Sequence, residues 1–588
     1  MTMKMTKAML QADGVTEAQA AKFAAVYEKY GDVKKFDTQL VAGDGGDGSV
    51  YKRSETEENK MLRHDLMKEV LKPIVEGVKF EDGKMVKTSV TSASGFDPYD
   101  LMVPSRHLVP WLSPIRESLP RTKRAGPGNT AHWKAITANS SSYSRGGAGA
   151  SPWVNEGQRA SQITLATIPV SQNYVTIGKD GTVTFEAVSS SEGFEDALAT
   201  AHFFTLETLM VSEEDSLIGG NKTLKLATAN TPTGTTTGSG SFSGTFYAKV
   251  IGLTYEGYRN FVLDNGLSTT TGLPLVTTGL TQQRVIITGD NKTMTVNTGC
   301  GIPSAASSAV SPSSSVSATF SVTAKTGEIA WLWFLGTANT NGSLYLQACT
   351  TVPSYTITAA PGTSTQLLSA LNTTVDYSVN DGTTGGGVNQ VTAYDGIITQ
   401  CLNNTSLTPQ NAYVLNNAGS ILTTSGRGNV VEIDTMLLNM WNLYKVTVDV
   451  IYVNAQEMVN ITNRVLNTTS APLLRYERDG DMGEYALTGN GSISFYFNPY
   501  IPGGRKIPIM IHPTLPPGTI LAMAKTLPPY FKTNSTPVVA EVLERRPYYA
   551  LEYAQTTREY QFGTYAENAG PAIYAPFCFG LITAVGNG

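Results

Sequence analysis

The sequence predicts an α+β protein that carries an inserted all-β sandwich. Three observations predict it. A long helix-forming run ends at Gly219-Gly220. Beyond residue 386, helical segments alternate with Val-, Ile- and Phe-rich strand segments. Between the two, residues 228–385 hold only 11 charged side chains in 158, with strand signals about every ten residues. The chain has 588 residues, of which 41% are hydrophobic and 15% charged, against roughly 25% charged in ordinary soluble domains. That apolar content excludes wholesale disorder. The net charge is −5, so nothing draws the molecule as a whole onto nucleic acid or an anionic membrane. Cys300, Cys349, Cys401 and Cys578 are far apart and form no CxxC pair, which fits a reducing compartment and no disulfide framework. The uncharged stretch from Asn568 to Gly588 is broken by Pro571 and Pro576, so it reads as paired strands rather than a membrane span. The opening MTMKMTKAMLQADG has no apolar core, so no secretory signal is expected and synthesis is placed in the cytoplasm.

Residues 1–95 hold 15 basic and 15 acidic groups and read as a charged helical extension. Thr16–Tyr30 and Thr56–Gly77 are its helices, with the unrestricted stretch Gly43-Asp-Gly-Gly-Asp-Gly48 between them. In 96–140, proline recurs at 98, 104, 110, 114, 120 and 127, with Trp111, Leu112, Ile115 and Leu119 interleaved. Regular proline forbids a long helix, and the apolar groups need cover, so an arm across a neighbouring surface is expected. Residues 141–188 read as a glycine-hinged two-stranded unit with a tight turn at Lys179-Asp180-Gly181. An isolated hairpin is marginal in water, so it is expected to pack on a neighbouring subunit. The long helix is expected over 189–219, started by a capping box of Ser189 and Glu192, and about 40 Å long.

Strands are expected at 245–253, 283–288, 293–298, 316–324, 328–335, 343–349 and 354–358, while 255–280 fits no strand pattern. The flanks 231–241 and 380–387 read as low-complexity linkers, so 229–385 is a separate inserted domain. Helices at 391–402, 432–444 and 454–466 alternate with strands at 446–453, 491–498, 506–512, 519–524, 537–543 and 559–565.

No catalytic constellation stands out, and no catalytic, cofactor-binding or metal-ligating residue is assigned. His64, His107, His132, His202 and His512 are scattered, and His202, beside Phe203 and Phe204, reads as a packing histidine. Gly77 to Met85 imitates a phosphate loop with the wrong spacing and with Met85 where a hydroxyl must hold magnesium. Asp479, Asp481 and Glu484 around Gly480 and Gly483 read as a solvated turn rather than a metal loop. The basic groups Arg116, Arg121, Lys123 and Arg124 are expected to pair with carboxylates of a neighbouring subunit, as are Arg545 and Arg546. Asn-x-Ser/Thr triplets at Asn221, Asn291, Asn341, Asn372 and Asn490 follow from the abundance of Ser and Thr, and no glycosylation is expected.

The order of parts is a charged helical extension, a Pro-rich arm, a glycine-hinged hairpin, one long helix and a mixed α/β domain. This order resembles the major capsid proteins of tailed bacteriophages, the Hong Kong 97-type fold shared with encapsulins. The resemblance covers 96–228 and 386–588. It implies an N-arm (96–140), an E-loop (141–188), the spine helix of a peripheral domain (189–228), an axial domain (386–535) and return strands (536–588). Ala393 to Leu402 is similar to the helix that opens the axial domain. Ser243 to Leu253 and Thr326 to Gly336 look like immunoglobulin or fibronectin-III strands, which implies a surface insert. Many members lose an N-terminal segment to a protease; here the extension is expected to be retained. Some relatives join an E-loop lysine to a neighbour's asparagine; Lys179 and Asn568 are the corresponding candidates.

The resemblance implies a non-enzymatic shell subunit that assembles with copies of itself in hexamers and pentamers. Portal, scaffolding and decoration proteins, and double-stranded DNA bound without sequence preference, are its implied partners, and the virion its location. No cofactor and no membrane partner is implied. Three other readings stand beside it: a surface or tail-fibre adhesin with a carbohydrate-binding sandwich, an encapsulin-like compartment, and a hydrolase with a β-rich accessory module.

Overall fold

The computed structural model describes residues 113–124, 128–136, 153–159, 167–191, 196–237, 242–269, 271–313, 317–382, 393–403, 412–425, 428–466, 475–479, 484–488, 493–526, 538–554 and 557–587. The extension over 1–95, the phosphate-loop imitation at 77–85, His64 and His107 lie outside these residues.

The described fold is α+β. A short helix α1 (Pro114–Ser118) leads into strand β1 (Arg121–Lys123). Strands β2 (Thr130–Ile136) and β3 (Thr167–Asn173) form an antiparallel pair, with Thr130 opposite Asn173 and Ile136 opposite Thr167. Strand β4 (Val175–Thr184) follows, then α2 (Phe185–Ser191) and the long helix α3 (Ala197–Gly219). Asp196 caps α3, its carboxylate accepting from the amides of Leu198 and Ala199 (both 3.0 Å). The expected start at Ser189 is therefore corrected. Ser189 lies inside α2, and the helix begins where Asp196 can satisfy its free N–H groups. Twenty-three residues make α3 about 35 Å long.

α3 packs on a four-stranded sheet in the order β1-β20-β21-β4, where β20 is Ala540–Glu552 and β21 is Glu559–Ile573. The expected turn at Lys179-Asp180-Gly181 is also corrected. These residues run mid-strand in β4, opposite Thr564, Gly563 and Phe562. Glycine fits Gly181 because the Phe562 ring fills the space a Cβ would take, at 2.7 Å. The hairpin that does form pairs β2 with β3, so its first strand belongs to the segment assigned to the arm.

The second sheet has six strands in the order β13-β22-β19-β14-β18-β17. They span Tyr413–Asn416, Phe579–Thr583, Ile520–Met523, Val450–Val453, Arg505–Ile511 and Phe495–Asn498. Helices α5 (Ile397–Leu402) and α6 (Val431–Tyr444) pack on β13 and β22, and α7 (Ala455–Leu466) packs on β18. Val450–Val453, Ile520–Met523 and Phe579–Thr583 are buried throughout, which is why they read as continuous apolar runs. The two sheets share one core at the end of α3. There Gly396 donates its N–H to Gly220 O (2.9 Å), and a Cβ on Gly396 would fall 2.6 Å from Gly219 N. The Gly219-Gly220 pair thus ends the helix and lets two backbones meet. Arg475–Asp479 and Glu484–Thr488 form a separate β15–β16 hairpin, so Asp479 and Glu484 sit opposite each other at its turn, while Asp481 lies outside the described residues.

The insert leaves and rejoins the chain at one place. Asn221 donates to Ser378 O (2.8 Å), Asn380 N–H donates to Asn221 O (3.2 Å), and Lys225 pairs with Asp381 (3.3 Å). Its central sheet is β11-β10-β6 (Tyr345–Thr350, Ala330–Gly336, Tyr247–Leu253). One face packs Val250, Trp331 and Trp333 against Phe320 and Ile357 of a second sheet, β12-β9-β5 (Ser354–Ile357, Ser317–Ser321, Thr233–Thr237). The other face packs Leu332 and Phe334 against Tyr258 and Phe261 of helix α4 (Tyr255–Asn265). The insert thus packs two three-stranded sheets face to face, as the expected sandwich does, but it is not all-β: α4 adds a third layer, and β7 (Gln283–Ile287) and β8 (Thr293–Asn297) form a side hairpin. Part of the segment that fitted no strand is α4, capped by Thr254, whose hydroxyl accepts from Gly257 N–H (3.1 Å).

One buried acid gives the fold a pH dependence. Glu457, in the first turn of α7, accepts from Gly518 N–H (3.0 Å) and Asn460 Nδ2 (3.2 Å), while its Oε2 has no protein partner. Burial outweighs those bonds and pushes its carboxyl from 4.5 up to about 7. A raised acid costs stability once it must ionise. Its contribution is intact below about pH 4.5, falls as pH rises towards 7, and levels off above, by at most about 3 kcal/mol. Glu457→Gln removes that leg. Urea unfolding at pH 4.5 and pH 8 is expected to show a smaller pH difference in the variant than in the parent; parallel behaviour contradicts this.

Candidate assembly site at the root of the arm

Two adjacent glutamates near the end of α3 hold four parts of the chain together. Glu213 lies on the same helical stripe as Leu209 and Leu217, and Glu214 on that of Met210 and Ile218, each four residues apart. Leu209, Leu217 and Ile218 are buried, and the carboxylates are buried with them.

Glu214 faces α1 and the second sheet. The first amides of α1 have no partner within that short helix, and Ser113 supplies no side-chain cap. Glu214 takes that place: Ile115 N–H donates to Oε1 (3.0 Å) and Arg116 N–H to Oε2 (2.6 Å). The third partner is His512, fully buried just past β18, with Nε2 2.7 Å from Oε1. Thr514 N–H donates to His512 Nδ1 (3.3 Å), which assigns the ring proton to Nε2 and makes it the donor to Glu214.

Glu213 faces the first sheet. It accepts from Arg116 Nε (3.0 Å), Arg121 Nη2 (2.7 Å), Asn568 Nδ2 (2.6 Å) and the Tyr548 hydroxyl. Arg121 also pairs with Glu544. The Tyr548 ring lies beneath both guanidinium groups, 5.2 and 5.5 Å from its centroid. Burial alone would push the Arg121 guanidinium down; the hydrogen bond and charge of Glu213 outweigh it and hold the group above its ordinary value. Burial, and then the charge of Glu213, pushes the Tyr548 hydroxyl up to about 12.

The expected pairing with a neighbour's carboxylates is corrected for the three arginines of the basic cluster, which pair within their own chain. Arg116 and Arg121 bind Glu213, and Arg124 lies 3.7 Å from Glu541; Lys123 is exposed. Arg545 and Arg546 both face Glu567, at 3.0 and 3.9 Å. The described root of the arm likewise rests on its own body, because Ile115 and Leu119 complete the main core. The hairpin root does the same: Trp133 and Val170 pack on Leu543, Ala569 and Ala572, and Trp133 Nε1 donates to Ile573 O (3.1 Å). Asn568 is fully buried and committed to Glu213, so its amide is closed to a neighbour's lysine. Lys179 stands exposed in mid-β4. His202 stacks on Phe562 with 3.8 Å between centroids, and His132 is exposed on β2.

Sequence reasoning missed Glu213, Glu214, His512 and Tyr548. The signal was present for the glutamates: Glu213 is spaced four residues from Leu209 and Leu217, and Glu214 from Met210 and Ile218. His512 and Tyr548 meet them only through the fold. Among the described residues no group of three or more His, Cys, Asp or Glu could hold a metal ion, and no helix is long and apolar enough to cross a membrane.

Removing one member of such a buried set strands the others, at a cost of about 3–5 kcal/mol. Glu213→Ala is expected to lower unfolding stability by that order and to expose the Arg116 and Arg121 peptide bonds to trypsin. Unchanged stability with unchanged cleavage contradicts the clamp.

No protein-family model matches the sequence, and no curated protein does. Among solved structures, the chain is similar to the capsid of the native GTA particle, at 7% identity over 85% of this chain and 100% of that one, with a TM-score of 0.38. It is similar to the capsid of Myoviridae phage XM1, at 8% identity over 86% and 100%, TM-score 0.33. It is also similar to part of the SrpI encapsulin from Synechococcus elongatus, at 11% identity over 32% and 56%, TM-score 0.19.

Proposed function

We propose that this chain is the structural subunit of a Hong Kong 97-type icosahedral head and encloses the genome of a tailed double-stranded DNA phage. The observation that carries the reading is the order and seating of its parts. An arm root is clamped to a long helix, a two-stranded projection springs from the sheet beneath that helix, and a six-stranded sheet is joined at the helix end. Among the described residues, β2 and β3 pair only with each other, which is the connectivity of a limb rather than of a sheet interior.

The role is structural, not catalytic. Buried carboxylates hold the limbs at fixed angles, and identical copies then meet through identical surfaces, as closed symmetry requires. Each copy touching several others multiplies weak contacts into a stable shell. Hexamers and pentamers, a portal, scaffolding and decoration proteins, and DNA held against the inner wall belong to this reading, with assembly in the host bacterial cytoplasm. The insert would be displayed on the shell.

The test is expression of the full chain followed by sedimentation and negative-stain microscopy. Closed particles of megadalton mass are expected. Discrete monomers or trimers at all concentrations contradict the reading, and particles that carry host protein cargo would assign a compartment instead.

A further inference from the structure

We infer that the insert locks the seat of the arm. A chain of hydrogen bonds runs from Tyr255 of the insert through Thr514 and His512 to Glu214, and it couples the docking of the insert to the docking of α1, so that freeing either loosens the other. The inference builds on the clamp described above and concerns a single chain, so it stands apart from the shell reading.

The insert is seated in the body rather than hung from it. Tyr255, the first residue of α4, is buried, and it belongs to the main core together with Ile329, another residue of the insert. The Tyr255 ring lies over the end of α3, where a Cβ on Gly219 would fall 2.2 Å from Tyr255 Cδ1. Arg259, one turn further along α4, pairs with Asp215 of α3 (3.3 Å). Three consecutive acids of α3 therefore take three different parts of the chain. Glu213 takes the arginines of the arm, Glu214 the amides of α1, and Asp215 the insert.

The Tyr255 hydroxyl joins the last two of these. It donates to Thr514 Oγ1 (3.0 Å) and lies 3.3 Å from Asp215 Oδ1. Thr514 Oγ1 is 3.2 Å from His512 Nδ1, and His512 Nε2 is 2.7 Å from Glu214 Oε1. Because Nδ1 is the accepting nitrogen, the Thr514 hydroxyl donates to it. The donors then all point one way, from Tyr255 to Thr514 to His512 to Glu214. In such a chain each bond polarises the next in the same sense, so the bonds strengthen one another. Burial, and then the charge of Asp215, pushes the Tyr255 hydroxyl well above its ordinary value, so it keeps the proton it donates. The last acceptor, Glu214 Oε1, is the atom that also receives the Ile115 amide. Insert and arm root thus share one carboxylate oxygen through three intermediates. Coupling of this kind is reciprocal: whatever holds the insert tightens α1, and whatever pulls α1 away loosens the insert by the same factor.

The test is native-state hydrogen–deuterium exchange of the full chain, read on peptides spanning 113–124. Tyr255→Phe keeps the ring and removes only the hydroxyl. It is expected to speed exchange there by about threefold or more, with a melting temperature within a few degrees of the parent. Thr514→Val cuts the same chain in its middle and is expected to give a similar acceleration. The double variant should add nothing further, because both substitutions break one series of bonds. Ile357→Val, in the second sheet of the insert, controls for a general loss of stability and should leave 113–124 unchanged. Unchanged exchange in Tyr255→Phe overturns the inference. So does equal acceleration by Ile357→Val, and so do effects of Tyr255→Phe and Thr514→Val that multiply in the double variant. If Thr514→Val does not fold, the comparison of Tyr255→Phe with Ile357→Val decides by itself. A parent whose 113–124 amides exchange as an open chain removes the clamp first and this inference with it, while leaving the shell reading to its own test.

Discussion

The fold depends on two carboxylates that have nowhere else to go. Glu213 and Glu214 sit on a helix face that must enter the core, so each has to find compensating donors there. The chain supplies them from four distant places: the amides of α1, two arginines, a histidine beyond the second sheet, and an asparagine and a tyrosine of the β20–β21 pair. Such a cluster adds little net stability compared with a well-packed apolar substitute, but it fixes register. Leucines at 213 and 214 could accept the arm in several positions. Two carboxylates accept it in one.

On the function proposed above, that specificity is what each subunit of a closed shell would need. A small error in the angle at which a limb leaves its body is repeated at every copy, and closure then fails. The clamp seats the arm root on the chain's own surface. The same logic explains why the arginine cluster faces inward rather than across a boundary. A part-buried guanidinium against a tyrosine ring, hydrogen-bonded to two carboxylates, holds its position better than an exposed surface pair, which would contribute about 1 kcal/mol or less.

Much of the architecture was legible in the sequence because local patterning is strong there. The apolar run of Ala330–Gly336 and the alternation around Phe320 are strands, and Glu432 to Tyr444 is a helix. Illegible parts fall where tertiary partners override local signals. Lys179-Asp180-Gly181 has turn chemistry, but β21 offers it a ladder and Phe562 occupies the space above Gly181. Ser189 and Glu192 form a plausible box, but Asp196 offers the better cap. The insert's helix α4 was hidden because Gly257, Tyr258 and Phe261 carry no strong helical propensity; burial against Leu332 and Phe334 holds it. The clamp was the least legible feature, since its donors are up to several hundred residues apart in sequence.

If Glu213 and Glu214 seat the root of the arm within a single chain, the seat exists without any neighbour. Hydrogen–deuterium exchange on the unassembled chain tests it most directly, read on peptides spanning 113–124, whose Ile115 and Arg116 amides donate to Glu214. Protection comparable with the end of α3 is the predicted result. Exchange there at the rate of an open chain, with protection appearing only inside particles, would contradict the account.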